Sequence, residues 1–176
     1  MSRIPLLLLI LACSFTALAE ATNQPPATGL ASLAFLTGGT WRADLPPGSD
    51  GQKAGIEARF EWTQNHQGIR FDSEWLAGER KYPYTSGVYL WNPQLKQIMI
   101  SYSDADGALT TGTVSQADEV FEHDLQVIYP SGKIEKVQTK LTHAGSSSFT
   151  NAIYRLKDGQ WDKFVEVHYN KVKLEP

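Results

Sequence analysis

Histidine is the side chain best suited to chemistry near neutral pH, and one of the chain's 4 histidines stands in an unusual setting. His123 shares its parity with Phe121, Leu125, Val127 and Tyr129, while Glu122, Asp124 and Gln126 fill the positions between. An extended chain sends successive side chains to opposite faces, which puts this imidazole on the apolar side. There at least one ring nitrogen needs a partner. A core histidine satisfied by its neighbours, a ligand contact, a metal ligand and a proton-transfer group are all open at this point.

The other chemistry-bearing patterns resolve more simply. His168 follows Glu166 by two residues, a spacing at which two groups on one strand face can share a metal. Val165, Val167 and Tyr169 take the alternate, apolar face, so Glu166 and His168 belong to solvent and no metal site is expected. His66 and His143 fall in or beside turns and are expected to be solvated. Asp104-Ala105-Asp106-Gly107 has the opening of a calcium loop but not its later acidic ligands, and reads as a hairpin turn. Ser146-Ser147-Ser148 offers hydroxyls with no nucleophile elbow and no adjacent base. No catalytic residue is assigned.

Cys13 is the only cysteine. It lies in a segment with the grammar of an export signal: Arg3, the apolar run Ile4 to Ala12, then Ala17-Leu18-Ala19 before Glu20. The run is shorter than the roughly 20 residues a membrane span needs. Residues 1–19 are expected to be a signal peptide, and the protein periplasmic or secreted. Ile10-Leu11-Ala12-Cys13 also has the form of a lipoprotein box, and lipidation at Cys13 is the alternative, with an outer-membrane address. Cleavage at Ala19 removes the cysteine, and with it any disulfide, thiolate nucleophile or cysteine metal site.

The chain carries 16 Lys and Arg against 19 Asp and Glu, a formal charge of −3, and losing Arg3 with the leader makes it more acidic. The charges are well mixed. A basic groove for nucleic acid is not expected, nor attraction to a membrane except through a lipid on Cys13.

These residues need a scaffold. After a polar lead over 20–27, Thr28 can cap a short helix with Leu30, Leu33 and Ala34 at helical spacing, and Gly38-Gly39 ends it. From Thr40 the period changes to two. Ten strand-like runs follow: Thr40–Leu45, Gly55–Gln64, Ile69–Leu76, Tyr84–Trp91, Gln97–Ser103, Leu109–Ser115, Val120–Tyr129, Lys133–His143, Ser148–Leu156 and Trp161–Lys171. Asn92-Pro93, Asp106-Gly107, Pro130-Ser131-Gly132 and Asp158-Gly159 mark turns between them. Short links forbid parallel crossovers, and a long meander leaves two raw edges unless it closes. The expectation is an all-β fold: an antiparallel meander closed into a roughly ten-stranded barrel over 28–176, with a short N-terminal helix.

Ile56, Ala58, Phe60 and Trp62 share one face of the second run, opposite Glu57, Arg59 and Glu61. In the third, Ile69, Phe71 and Trp75 oppose Arg70, Asp72 and Glu74. Unpaired charges are costly to bury, so the aromatic faces look inward. Barrel width grows with strand number, and beyond eight strands side chains alone fill the centre less completely. The candidate lining for a ligand is Phe60, Trp62, Phe71, Trp75, Tyr89 and His123; ordinary core packing is the competing use of the same residues.

Phe35 to Arg42, F-L-T-G-G-T-W-R, resembles the opening of lipocalin-like (calycin-type) barrels, in which a Gly-x-Trp begins the first strand after a short helix. The order of elements is similar to small exported bacterial families of that kind. The resemblance implies that Gly39 and Trp41 are structural, with Trp41 packed across a closed barrel end beneath a basic residue, Lys171 or Lys173. It also implies a barrel that binds a small hydrophobic or amphipathic ligand. Two other readings stand beside a binding module. One is an envelope protein with a packed core that acts through its surface. The other is an enzyme, either with haem held by a late-strand histidine or with His123 as acid–base catalyst. No cofactor is expected outside that last reading, and the oligomeric state is left open.

Overall fold

The structure, a computed structural model, describes residues 28–47 and 51–172. The expected signal peptide, the lead over 20–27 and Lys173 lie outside the described residues. A 3-10 helix, Thr28–Leu36, is followed by ten strands: β1 Thr40–Leu45, β2 Ala54–Trp62, β3 Gly68–Ala77, β4 Arg80–Asn92, β5 Gln97–Asp104, β6 Leu109–Ala117, β7 Val120–Ile128, β8 Ile134–His143, β9 Ser148–Lys157 and β10 Gln160–Val172. Each pairs antiparallel with its sequence neighbour, and β1 pairs with β10 to close the barrel. No edge is left to template aggregation.

The helix is tighter than an α-helix because its apolar residues recur every third position. Leu30, Leu33 and Leu36 are fully buried, and a three-residue turn stacks them on one face. That face plugs the end of the barrel where Trp41, Ile69 and Phe121 are also buried. In an antiparallel meander alternate turns share an end, so the β1–β2, β3–β4, β5–β6, β7–β8 and β9–β10 turns gather at the opposite, unplugged end. The Asp104–Gly107 segment is the hairpin turn expected: the Asp104 carboxylate accepts from the Asp106 and Ala108 amides at 3.0 and 2.9 Å, and Gly107 takes φ 81°.

β4 starts at Arg80, ahead of the expected Tyr84, and its Pro83 sits beside a bulge, a place where a strand accommodates proline. Two register shifts occur, both toward the unplugged end. Ser73 pairs Thr85 and Glu74 pairs Pro83, which leaves Tyr84 as the extra residue. Lys163 pairs Tyr154 and Val165 pairs Ile153, which leaves Phe164. Bulges re-aim side chains, and both of these extra residues are aromatic and exposed.

Charge segregates by face as the alternation requires. Arg70 bonds Glu61 across the β2–β3 pair on the outer surface, and Lys81 reaches Glu57 at 2.8 Å. Glu166 and His168 lie on the outside of β10, 3.5 Å apart.

Candidate functional site

Between the plug and the unplugged end lies a cavity of ≈ 190 Å³. Phe60 and Phe71, directly paired on β2 and β3, form one wall with ring centroids 5.7 Å apart. Tyr89 on β4 and Tyr102 on β5 extend it, each ring about as close to Phe71, at 5.5 and 5.8 Å. The far wall is built from β7, β8, β9 and β10: His123, Leu125, Thr139, Leu141, Asn151 and Tyr169. Tyr84 lines the cavity and is also 41% exposed, so the space reaches solvent through the unplugged end.

His123 is 3% exposed and points into this space. Its Nε2 meets the Tyr89 hydroxyl at 3.2 Å. Nδ1 has no side-chain partner among the described residues and faces the backbone of Thr139 and Phe121, and Oδ1 of Asn151, another lining residue, is buried without a partner among them. Burial lowers the His123 pKa from 6.5 to about 4, against the opposing pull of the Thr139 and Phe121 backbone and of Asp124. Near neutral pH the ring is therefore uncharged. Burial likewise raises the pKa of the Tyr89, Tyr102 and Tyr169 hydroxyls, which keep their protons.

The structure thus brings Phe60, Phe71, Tyr89 and His123 together around one cavity and leaves Trp62 and Trp75 off it. Trp62 packs half-buried against the core at the plugged end, near the His66 ring at 6.2 Å. Trp75 has the inward parity, paired to Ile56, yet it sits at the mouth and is 37% exposed. The β4 bulge turns Tyr84 toward it, and the two rings meet edge-on at 5.9 Å. Parity chooses a face but says nothing of height along the barrel.

One further expectation changes, and the cation over Trp41 is one of the two residues named for that place. His143 is half-buried rather than fully solvated: its ring stacks on Phe35 of the plug at 3.9 Å, its Nδ1 lies 3.1 Å from Glu119, and its buried Nε2 has no partner among the described residues. Its strand runs far enough to bring it under the helix, whereas the sequence places it beside a turn. Lys171 proves to be the cation over Trp41, 5.2 Å from the ring, and it donates to the Thr37 carbonyl at 3.2 Å. Trp41 itself is fully buried and donates its indole N–H to Leu36 O at 2.6 Å. Gly39 is small because a Cβ there would overlap the Lys171 side chain.

Asn151, Thr139 and Tyr102 were not singled out in the sequence, although a signal exists. Asn151 shares parity with Phe149 and Ile153, and Tyr102 with Ile98 and Ile100. A polar residue within an apolar face is the same mark that identified His123. Among the described residues no group of three or more His, Cys, Asp or Glu could hold a metal ion.

No family model matches the chain, and no curated protein matches it. Among solved structures it is similar to the crystal structure of Rv2717c from M. tuberculosis, with a TM-score of 0.56 and 13% identity over 84% of this chain and 99% of that one. The likeness is one of fold: a closed antiparallel barrel.

Proposed function

We propose that the protein is an exported binding module that holds a small hydrophobic or amphipathic molecule inside its barrel. One observation carries this reading: an aromatic-walled cavity of ≈ 190 Å³, reached from the unplugged end, whose lining includes the polar side chains of His123, Thr139 and Asn151. A packed-core envelope protein would fill that volume with side chains.

Native mass spectrometry of the gently purified protein, together with a thermal-shift panel of apolar and amphipathic molecules, tests the reading. Ala58 lines the cavity, and Ala58→Phe should block it. We expect at least one class of molecule to raise the Tm of the wild type and not of the variant. Absence of any ligand response in a folded wild type would overturn the proposal. Export is tested separately: N-terminal sequencing of a periplasmic fraction should begin at Glu20, or at a lipidated Cys13 on the alternative route.

A further inference from the structure

Exposed large apolar side chains gather at one end of the barrel. On the β3–β4 hairpin Trp75 pairs Tyr82, and Tyr84, the residue left over by the bulge, sets its ring edge-on to Trp75. On the β9–β10 hairpin Leu156 pairs Trp161, and Phe164 is the residue left over. Leu109, Ile128 and Ile134 pair in a row across β6, β7 and β8, with the outward parity of Gln126 and Lys136. All but the half-buried Ile128 are exposed, and all lie beside the turns of the unplugged end, around the cavity mouth. Among the described residues the plugged end exposes only Leu90, Leu95 and Val172 in the same way. A lone exposed apolar residue is ordinary, whereas a cluster confined to one end marks a contact surface.

We propose that the unplugged end docks on the headgroup layer of an electrically neutral lipid bilayer, with the apolar side chains of its hairpin tips inserted and the cavity mouth held against the surface. The contact needs no ligand in the cavity and stands apart from the reading above. Side-chain type supports it, because the rings of Trp75, Tyr82, Tyr84 and Trp161 are of the amphipathic kind that settles at the membrane–water boundary. Arg155 lies 3.8 Å over the Phe164 ring, so its stem accompanies an inserted ring while its charge stays at phosphate level. Charge selects the lipid. From Ala77 to Tyr82, Asp104 to Leu109, Tyr129 to Ile134 and Leu156 to Trp161 the tips carry four basic and four acidic side chains. A balanced rim suits zwitterionic headgroups and gains nothing from an anionic surface. Geometry separates lipid from protein. A protein partner would have to match four separate projections around an opening, and a second copy would set one open mouth against another. A fluid headgroup layer receives each tip independently. The chain's own ends are not at hand either, since the helix that starts at Thr28 packs beside Trp91 and Val172 pairs Thr40, both at the plugged end.

Flotation with phosphatidylcholine vesicles tests the proposal on the chain from Glu20 onward, which holds every described element of the barrel and lacks Cys13. Binding should change by no more than about twofold between about 0.1 and 1 M salt, because apolar insertion is not screened. Brominated lipid should quench part of the tryptophan emission. Trp161→Ser with Phe164→Ser should weaken partitioning at least about tenfold, since two exposed rings no longer leave water. Ile134→Ser, expected to weaken it several-fold, serves if the Tm of that double variant falls. Leu90→Ser with Leu95→Ser, at the plugged end, should leave binding unchanged. No flotation with phosphatidylcholine, binding confined to anionic vesicles, or equal weakening by the two double variants overturns the proposal. So does a concentration-dependent dimer that Trp161→Ser with Phe164→Ser abolishes, which would assign the surface to a second copy. Flotation and the ligand panel above are separate readouts, so either reading fails without the other.

Discussion

The Tyr89 hydroxyl and the His123 Nε2 meet at 3.2 Å across the barrel interior, although β5 and β6 separate their strands in the sheet. The bond therefore spans the lumen rather than following the sheet. On the other side of the ring, Nδ1 has the Thr139 and Phe121 backbone beside it and no side-chain partner among the described residues. Burial favours the neutral ring, and that has a consequence for stability. The unfolded ring takes a proton near pH 6.5, the folded ring only near 4. Between those values the unfolded state binds more protons, so stability falls as the pH falls through that window and is intact above it. The full loss amounts to about 3 kcal/mol. Chemical denaturation from pH 7 to pH 4 should show it, and His123→Gln should flatten that part of the profile. An unchanged profile in the variant would place the acid sensitivity elsewhere.

Tyr89→Phe removes the hydroxyl and leaves both ring nitrogens of His123 without a side-chain partner. A newly orphaned buried polar group costs about 1–3 kcal/mol. Urea unfolding at pH 7 should register a loss in that range with the slope unchanged, because the surface exposed on unfolding is the same.

Lys171 closes the plugged end by two contacts, one with the Trp41 ring and one with the Thr37 carbonyl. Lys171→Met keeps much of the stem and loses both. The combined effect should be about 2 kcal/mol. The readout is a lower Tm with faster amide exchange over the helix, since Thr37 anchors its C-terminal end. Gly39→Ala should produce a smaller shift of the same kind by displacing the lysine stem.

Leu33 is fully buried at the heart of the plug. Leu33→Ala leaves a hole where helix and barrel cannot readily collapse, and the loss should fall at about 2–5 kcal/mol. If the helix were an appendage rather than part of the core, the Tm would scarcely move.

Most of the architecture was already written in alternation. In β2, Ile56, Ala58, Phe60 and Trp62 against Glu57, Arg59 and Glu61 admit only one orientation toward a core, and the short Gly- and Pro-marked links between strands admit only antiparallel neighbours. Phe60, Phe71 and His123 could be placed inside on that ground alone, because parity is a local property of an extended backbone. Height along the barrel is not local. Trp75 and Phe71 have the same parity, yet one stands at the mouth and the other on the cavity wall, a difference set by strand tilt and by the bulge at Tyr84. The fate of His143 depended on where β8 ends relative to a helix more than a hundred positions earlier, and the choice of Lys171 over Trp41 on how β1 and β10 register at closure. The cavity itself and the meeting of Tyr89 with His123 come from strands distant in the chain. Only the closed sheet brings them together, because a barrel's interior is defined by the strands that face one another across it and not by any stretch of sequence.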